Sequence, residues 1–377
     1  MRLLVLGPGH PFRGGIASTT TALVRALRDR GHDVLFFAAL SQYPRWLYPG
    51  GDDRDPAACP PLPGTRRCLD PFAPWSWGAA RALALASAAG AWVVPYWTWA
   101  WAGWWSFLLQ GHLRPPAVAV VHNPADHQAR TLQRLAARMV LCRCQGLFTH
   151  AQALAETLRR DYPWVPVSAH PLASAVSYPK PAREAARETL GLAPGRRVAL
   201  FLGLVRPYKG VDLLVEAMTR LPADSDWQLV VAGEPWGGLG DELSRQVADA
   251  GLGERVRLLL GWVPEERVAT LLAAADVVVL PYRSGSQSAV APLALGHGVP
   301  VVSTEVGGLP EVVAHERNGL LVPPGSAEAL AAALQGLDRE TLARLEAGAR
   351  ETAGRLTWDA YAAALENLLD EVVARAG

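Results

Sequence analysis

The sequence predicts an α/β protein of two doubly wound domains, each a parallel sheet covered by helices. Three observations predict it. Short apolar runs of strand character alternate with helical patterns along the whole chain, which is how parallel strands and their crossover helices read. At 377 residues the chain exceeds the usual domain size of about 100 to 200 residues, so two domains of similar size are expected. Apolar residues make up 50% and charged residues 19%, which is ample for buried cores and too little charge for a solvated coil.

In the first half, strands are expected at Arg2 to Leu6, Asp33 to Phe37, Ala91 to Pro95, Ala117 to Val121, Gly146 to Phe148 and Val165 to Ala169. Between the first two lies the helix Ile16 to Arg30, with Leu23, Val24 and Leu27 on one side and Arg25, Arg28 and Asp29 on the other, ended by Gly31. The stretch Ala82 to Leu113 contains no Asp, Glu, Lys or Arg, and about 20 apolar residues suffice to cross a bilayer. Pro95 and six Trp are spread through it, whereas a spanning helix gathers Trp at its two edges. A buried strand followed by an apolar helix is the expectation. The apolar run after Met1 and Arg2 stops at Gly7, Pro8 and Gly9, well short of a secretory signal. Cys59, Cys68, Cys142 and Cys144 match neither a disulfide framework nor a zinc site, so a reducing compartment, the cytoplasm, is expected.

The pattern lapses between Leu172 and Arg183, around Pro171, Pro179 and Pro181, and a domain boundary is placed there. Residues 1–175 form the first domain and 176–357 the second. The second half repeats the scheme with strands at Val198 to Leu202, Gln228 to Ala232, Val256 to Leu259, Val277 to Leu280, Val299 to Ser303 and Leu320 to Val322. Residues 358–377 make an amphipathic helix with Leu365, Leu368, Leu369 and Val372 on one side, expected to pack back across the domains.

The 36 Lys and Arg nearly balance 35 Asp and Glu, which argues against a nucleic-acid partner recruited by bulk charge. After the first strand comes Gly7-Pro-Gly9-His-Pro-Phe12-Arg-Gly14-Gly15, a glycine loop opening a helix, where phosphate can meet free N–H groups. A dinucleotide fold fails here: its fingerprint needs Gly where this chain has Phe12, and an acidic residue where it has Phe37, Ala38 and Ala39. Gly7 and Gly9 also suit a purely structural turn. Gly14 and Gly15 are placed to let a ligand approach the backbone. Asp53-Arg54-Asp55 has the form of a metal-binding Asp-x-Asp element but sits in a Gly- and Pro-rich loop where acids are usually solvated, so no metal and no cofactor are inferred.

The sharpest constellation follows the first strand of the second half: Phe201-Leu-Gly203-Leu-Val-Arg206-Pro-Tyr-Lys209-Gly210, leading into the helix Val211 to Arg220. Two cations at a carboxyl strand end, one a fork and one a point charge, suit a diphosphate. The chain uses 34 Arg and only two Lys, Lys180 and Lys209, so a Lys kept here is kept for its compact charge. Further on, Pro281-Tyr-Arg283-Ser-Gly285-Ser-Gln287-Ser288-Ala289-Val290 offers small residues at a helix start. Gly233 and Glu234, Trp262 and Val263, and Gly307-Gly308-Leu-Pro310-Glu311 follow other strands on the same edge. Together they describe a cleft for a nucleotide diphosphate.

These residues resemble the GT-B type, retaining glycosyltransferases of family four. The likeness runs through G-G-I before the first helix, V-H-N-P at Val121 to Pro124, the R-P-Y-K-G loop ending at Gly210, and the stretch from Pro281 to Glu311. The resemblance implies two facing doubly wound domains with a cleft between them, a nucleotide sugar held mainly by the second, and an acceptor entering from the first. It implies that Arg206 and Lys209 grip the diphosphate, and that Ser288, Ala289 and Val290, similar to the S-G-V element of a variant branch, cradle phosphate. His122 and Asn123 match the position facing the donor sugar, where a His can bond a hydroxyl or help the acceptor; a His tucked against the turn before Pro124 is the plainer reading. His127 reads as a surface residue. Two positions depart from the family pattern. Leu204 stands where the Arg usually lies, and Gly285 and Leu293 stand where a pair of glutamates usually lies, the second of which holds the ribose.

The function expected is transfer of a sugar from a nucleotide diphosphate sugar to an acceptor hydroxyl with retention and without metal. No Asp or Glu pair of the glycoside-hydrolase kind is evident, and the resemblance implies front-face attack assisted by the leaving phosphate. Nine of the 14 Trp fall between Trp46 and Trp105, in the acceptor domain, which suggests a lipid-linked saccharide and peripheral membrane contact, or else ordinary core packing. Two other classes stay open: a nucleotide-sugar-binding protein without turnover, motivated by the absent glutamates, and a nucleotide-sugar epimerase.

Overall fold

The computed structural model describes residues 1–43, 53–54, 61–123, 131–174 and 179–376. Trp46, Asp55, Cys59, Pro124 and His127 lie outside the described residues. The chain divides into two compact units, Met1–Pro171 together with Trp358–Gly377, and Leu172–Thr357.

The first unit holds β1 (Arg2–Gly7), β2 (Asp33–Ala39), β3 (Thr65–Leu69), β4 (Ala91–Tyr96), β5 (Ala117–Val121), β6 (Gly146–Thr149) and β7 (Val167–Ala169). All pair in parallel, in the order β3-β2-β1-β4-β5-β6-β7. β4, β5 and β6 are buried along their whole length, because helices cover both faces; that is why they read as unbroken apolar runs and not as alternation. The helix Gly15–Asp29 follows β1 and buries Leu23, Val24 and Leu27. The terminal helix Trp358–Ala376 buries Tyr361, Leu365, Leu368, Leu369 and Val372 and counts with this unit, packing on β6, β7 and the helix Gly15–Asp29. Arg30 ties it down by ion pairs to Glu366 at 2.7 Å and Asp359 at 2.5 Å.

The second unit holds β8 (Arg197–Leu202), β9 (Trp227–Gly233), β10 (Val256–Leu260), β11 (Val277–Leu280), β12 (Val301–Thr304) and β13 (Gly319–Val322). They are again all parallel, in the order β10-β9-β8-β11-β12-β13. The strand order reverses between β8 and β11, and between β1 and β4 in the first unit, so each sheet has a switch point at which ligands of doubly wound sheets bind, beyond the carboxyl strand ends.

Every strand expected from the sequence is present, with differences at three places. β3 was not anticipated: its sequence Thr-Arg-Arg-Cys-Leu is half exposed and pairs with β2 alone, and a polar edge strand carries no apolar run to recognise. β7 and β12 begin two residues later than the apolar pattern suggests, after Val165-Pro166 and Val299-Pro300. Each proline lacks an N–H for the ladder, although its carbonyl still accepts, Pro166 from Leu147 at 3.0 Å and Pro300 from Val278 at 2.9 Å. The Trp-rich stretch after β4 is a short turn, Trp99–Trp101, running into the helix Ala102–Leu108. No helix among the described residues is long and apolar enough to cross a membrane.

Candidate functional site

In the second unit the loops leaving β8, β9 and β11 are fastened to one another at the switch point. Gly203 and Gly233 end neighbouring strands, and a Cβ on Gly233 would stand 2.0 Å from the Gly203 carbonyl oxygen, so only glycine lets the two chains meet. Beyond them Val205 donates to the Glu234 carbonyl at 2.9 Å and Trp236 donates to the Val205 carbonyl at 3.0 Å, a short parallel extension of the sheet. This pairing sets Arg206 over Trp236, with Cζ 4.2 Å from the ring centre, a cation–π contact that holds the guanidinium in plane. The Arg206 Nε is buried with no hydrogen-bond partner among the described residues.

The chain then turns through Pro207–Lys209 to Gly210, whose φ of 65° caps the helix Val211–Arg220. A Cβ at Gly210 would lie 2.1 Å from the Pro281 carbonyl oxygen, which brings in the loop after β11. Arg283 from that loop clamps it from outside, bonding both carboxylate oxygens of Asp212 at 2.7 and 2.5 Å and the Pro207 carbonyl at 2.9 Å, while its N–H donates to the Tyr208 carbonyl at 2.7 Å. Asp212 is held below the usual carboxylate range by this guanidinium, against the opposing effect of burial. Beneath the clamp Tyr282 is 2% exposed, its ring centre 5.4 Å from Lys209 Nζ and its hydroxyl 3.2 Å from Ser288 Oγ. Burial pushes the Tyr282 phenol up to about 12, so it stays neutral.

Lys209 is therefore a half-buried ammonium with no carboxylate beside it among the described residues, its Nζ facing the neutral Tyr282 ring. Burial pushes its pKa below the usual lysine range, the ionisable Tyr208 opposes this, and the charge of Arg206 adds to the fall. A cation in that position gains most from an anionic ligand, which removes the penalty of desolvation. Ser288 sits at the same edge, but its Oγ accepts the Val290 N–H at 3.1 Å, and the helix it opens is the short Val290–Gly296. Of the expected cradle, the Val290 amide is thus already occupied, and Ala289 is exposed. Gln287 lies between these loops; Trp262 and Val263 follow β10 on the same carboxyl edge, Val263 packing on the core. Leu293 also packs against the core and Gly285 carries no side chain, so neither can replace the glutamates of the family pattern.

In the first unit Gly14, at φ 101°, and Gly15 begin the helix after β1, with open space where each Cβ would stand. Gly7 and Gly9 differ: a Cβ there would come within 2.6 Å of Pro95 and 2.5 Å of Phe36, which makes them packing glycines. His122 and Asn123 leave the end of β5. The His122 N–H donates to the Tyr96 carbonyl at 2.8 Å and its Nδ1 lies 3.0 Å from Nε2 of His150. Burial pushes His122 down to about 4 and His150 well below the usual histidine range, the latter also disfavoured by His122 and His170. Both rings are neutral at physiological pH.

The sequence reading missed Trp236, Asp212, Arg283, Tyr282, His150 and Tyr361. Arg283 could have been found as the cation three residues after the β11 apolar run. His150 follows β6 as directly as His122 follows β5. Trp236 and Tyr361 had no local signal, because their partners come from other strands. Among the described residues no group of His, Cys, Asp and Glu has the arrangement of a metal site. Of the Trp set, Trp92, Trp101, Trp104 and Trp105 are core residues, while Trp75 and Trp99 are exposed.

Two family models match, one on each half: "Glycosyltransferase Family 4" over residues 13–171 and "Glycosyl transferases group 1" over residues 196–339. D-inositol 3-phosphate glycosyltransferase of Jonesia denitrificans is 39% identical over 188 residues, 47% of this chain and 43% of that protein. The enzyme of the same name from Corynebacterium glutamicum is 35% identical over 200 residues, 51% of this chain and 48% of that one. The chain thus spans less than half the length of these curated relatives. Among solved structures, sucrose-phosphate synthase from Thermosynechococcus elongatus superposes with a TM-score of 0.80 at 22% identity, covering 100% of both chains. Anabaena HepE in complex with UDP superposes with a TM-score of 0.73 at 18% identity, covering 98% of this chain and 100% of that one. The fold is that of the GT-B glycosyltransferases.

Proposed function

We propose that this GT-B chain transfers a sugar from a nucleotide diphosphate sugar to an acceptor hydroxyl, with retention at the anomeric carbon and without a metal ion. One observation carries the reading: Arg206 and Lys209 stand at the switch point of the second sheet, Lys209 desolvated and the Arg206 Nε unpartnered. The difficult step is departure of the diphosphate, and fixed cations stabilise the charge that develops on it. Arg206, held flat on Trp236, offers a fork; Lys209 offers a point charge whose proton is more firmly held once the anion arrives. These two take the part that a divalent ion plays in metal-dependent transferases. The relatives are named for transfer to an inositol phosphate and a structural neighbour holds UDP, which makes a UDP-sugar the first donor to try. The acceptor attacks from the face the diphosphate leaves, and its proton passes to the leaving phosphate.

Gly14, Gly15, His122 and Asn123 are assigned to the acceptor side and the donor sugar. Leu132, Leu135 and Met139 form an exposed apolar stripe on the helix Thr131–Leu141, which also carries Arg134 and Arg138. That stripe supports peripheral contact with the inner, anionic face of a membrane and a lipid-linked acceptor, in a cytoplasmic protein. Thermal stabilisation by a panel of UDP, GDP and ADP sugars, followed by measurement of released nucleotide with and without saccharide acceptors, tests the function. Stabilisation without release in any acceptor mixture would favour the second reading, a binding protein without turnover, which Gly285 and Leu293 motivate.

A further inference from the structure

We infer that Tyr361 and His150 are positioning residues that fix the tautomer of His122, so that His122 keeps its proton on Nε2 and serves the site as a hydrogen-bond donor, not as a base. The inference rests on the transferase reading for the part His122 plays, and on the geometry of the first unit for everything else.

Strand register creates the arrangement. Val121 pairs with Thr149, and Thr149 pairs with Ala169, so His122, His150 and His170 are each the first residue beyond three adjacent strand ends. His170 is turned aside, its Nδ1 donating to the Pro171 carbonyl at 2.8 Å. The other two face each other, His150 Nε2 lying 3.0 Å from His122 Nδ1. On the far side of His150, the Tyr361 hydroxyl approaches Nδ1 at 3.3 Å, and the two rings are stacked with centroids 5.7 Å apart. Water is excluded: Tyr361 is 0% exposed, His150 4% and His122 8%.

Each neutral imidazole carries one proton, so the row can run in only two directions. Running toward the site, the Tyr361 hydroxyl donates to His150 Nδ1, His150 Nε2–H donates to His122 Nδ1, and the remaining proton sits on His122 Nε2. Running the other way, His122 Nδ1–H donates to His150 Nε2 and His150 Nδ1–H donates to the Tyr361 oxygen. The phenolic hydrogen is then buried with no acceptor among the described residues, an arrangement that folded proteins avoid. The first direction gives both the Tyr361 hydroxyl and the His150 Nε2–H an acceptor.

Nitrogen-15 spectra of histidine-labelled full-length protein read the tautomers directly. The expected result is Nε2–H at both His122 and His150, with Nδ1–H at His170 as the internal contrast; Nδ1–H at His122 overturns the inference. Tyr361→Phe keeps the ring and removes the donor, so the His150 Nδ1 resonance should move toward that of an unbonded ring nitrogen while His170 stays fixed; an unmoved His150 Nδ1 removes Tyr361 from the row. His150→Leu should lower kcat roughly tenfold or more, the usual cost of losing a group that orients a functional imidazole, and His150→Gln, which can both accept from Tyr361 and donate to His122, should recover most of it. Equal losses in the two variants would mean that His150 only fills space. The spectrum decides the tautomer whether or not sugar is transferred: no release of nucleotide from any sugar donor with any acceptor would end the transferase reading and leave the Nε2–H result standing.

Discussion

Lowering the pH from about 7.5 to 5.5 loads a proton onto every ordinary histidine, whose pKa is about 6.5, but not onto His122 and His150 while the first unit is folded. Burial holds His122 down at about 4 and His150 well below the usual range. The sign follows from the depressed native values. Above about pH 6.5 neither the folded nor the unfolded chain binds these protons and the stability of the unit is whole. Below it the unfolded chain takes them up and the native unit cannot, so stability falls with pH until His122 itself protonates near 4. One pH unit below the unfolded pKa, each such histidine removes about 1.4 kcal/mol, so the pair removes about 3 kcal/mol by pH 5.5. For a unit of this size that corresponds to a fall of roughly 6 to 12 °C in melting temperature. The ion-paired carboxylates do not confuse the measurement: Asp212 and Glu366 are held low by Arg283 and Arg30, and their contributions are lost only at more acid pH.

The assay is thermal unfolding followed by tryptophan fluorescence. Trp92, Trp101, Trp104 and Trp105 are all buried in the first unit and dominate the signal, so its unfolding can be followed apart from that of the second unit. Calorimetry in buffers of different ionisation enthalpy should show uptake of about two protons by the pair near pH 5.5, with His10, also pushed down to about 4 by burial and by Arg25, adding in the same direction. His150→Gln should lower the uptake by about one. A melting temperature for this transition that is flat between pH 7.5 and 5.5, or an imidazole signal of His122 titrating near 6.5 in the folded protein, would refute the reasoning.

Arg206→Ala and Lys209→Ala should each lower kcat by ~10² to 10³ with unchanged melting of the second unit; near-normal turnover in either removes that residue from the mechanism. Gly233→Ala drives a Cβ against the Gly203 carbonyl and should abolish stabilisation by nucleotide diphosphates, read as the loss of a ligand-induced melting shift. Asp212→Asn weakens the Arg283 brace without touching either cation, so KM for the donor should rise several-fold while kcat changes less, and steady-state kinetics separate the two. Leu135→Glu, in the exposed stripe of the helix Thr131–Leu141, should end flotation with anionic liposomes while leaving transfer to soluble acceptors intact; flotation unchanged by the substitution would dismiss that stripe as the membrane contact.

What could be seen in the sequence, and what could not, follows the range of the interactions involved. Strands buried on both faces, such as β4 and β5, announce themselves as apolar runs because each residue meets the same apolar surroundings; the edge strand β3, with Arg66 and Arg67 in its middle, has no such uniform surroundings and leaves no run. Arg206 and Lys209 were legible because charge and spacing are local, lying in one loop between a strand and a helix. Their environment was not, because Trp236 reaches Arg206 through the pairing of Val205 with the chain after β9, and Arg283 reaches Asp212 across 71 positions. The same holds for His122, visible as a strand-end histidine, against Tyr361, which reaches His150 from 211 positions away. The chemistry-bearing side chains thus read directly, while the groups that orient them and set their proton affinities belong to the parallel register. A glycine loop or an Arg-x-x-Lys spacing raises an expectation about a class of ligand. Whether a given His donates or accepts is decided by which strands lie side by side: in this chain β5 and β6 bring His122 and His150 together, while His170 after β7 turns aside to the Pro171 carbonyl.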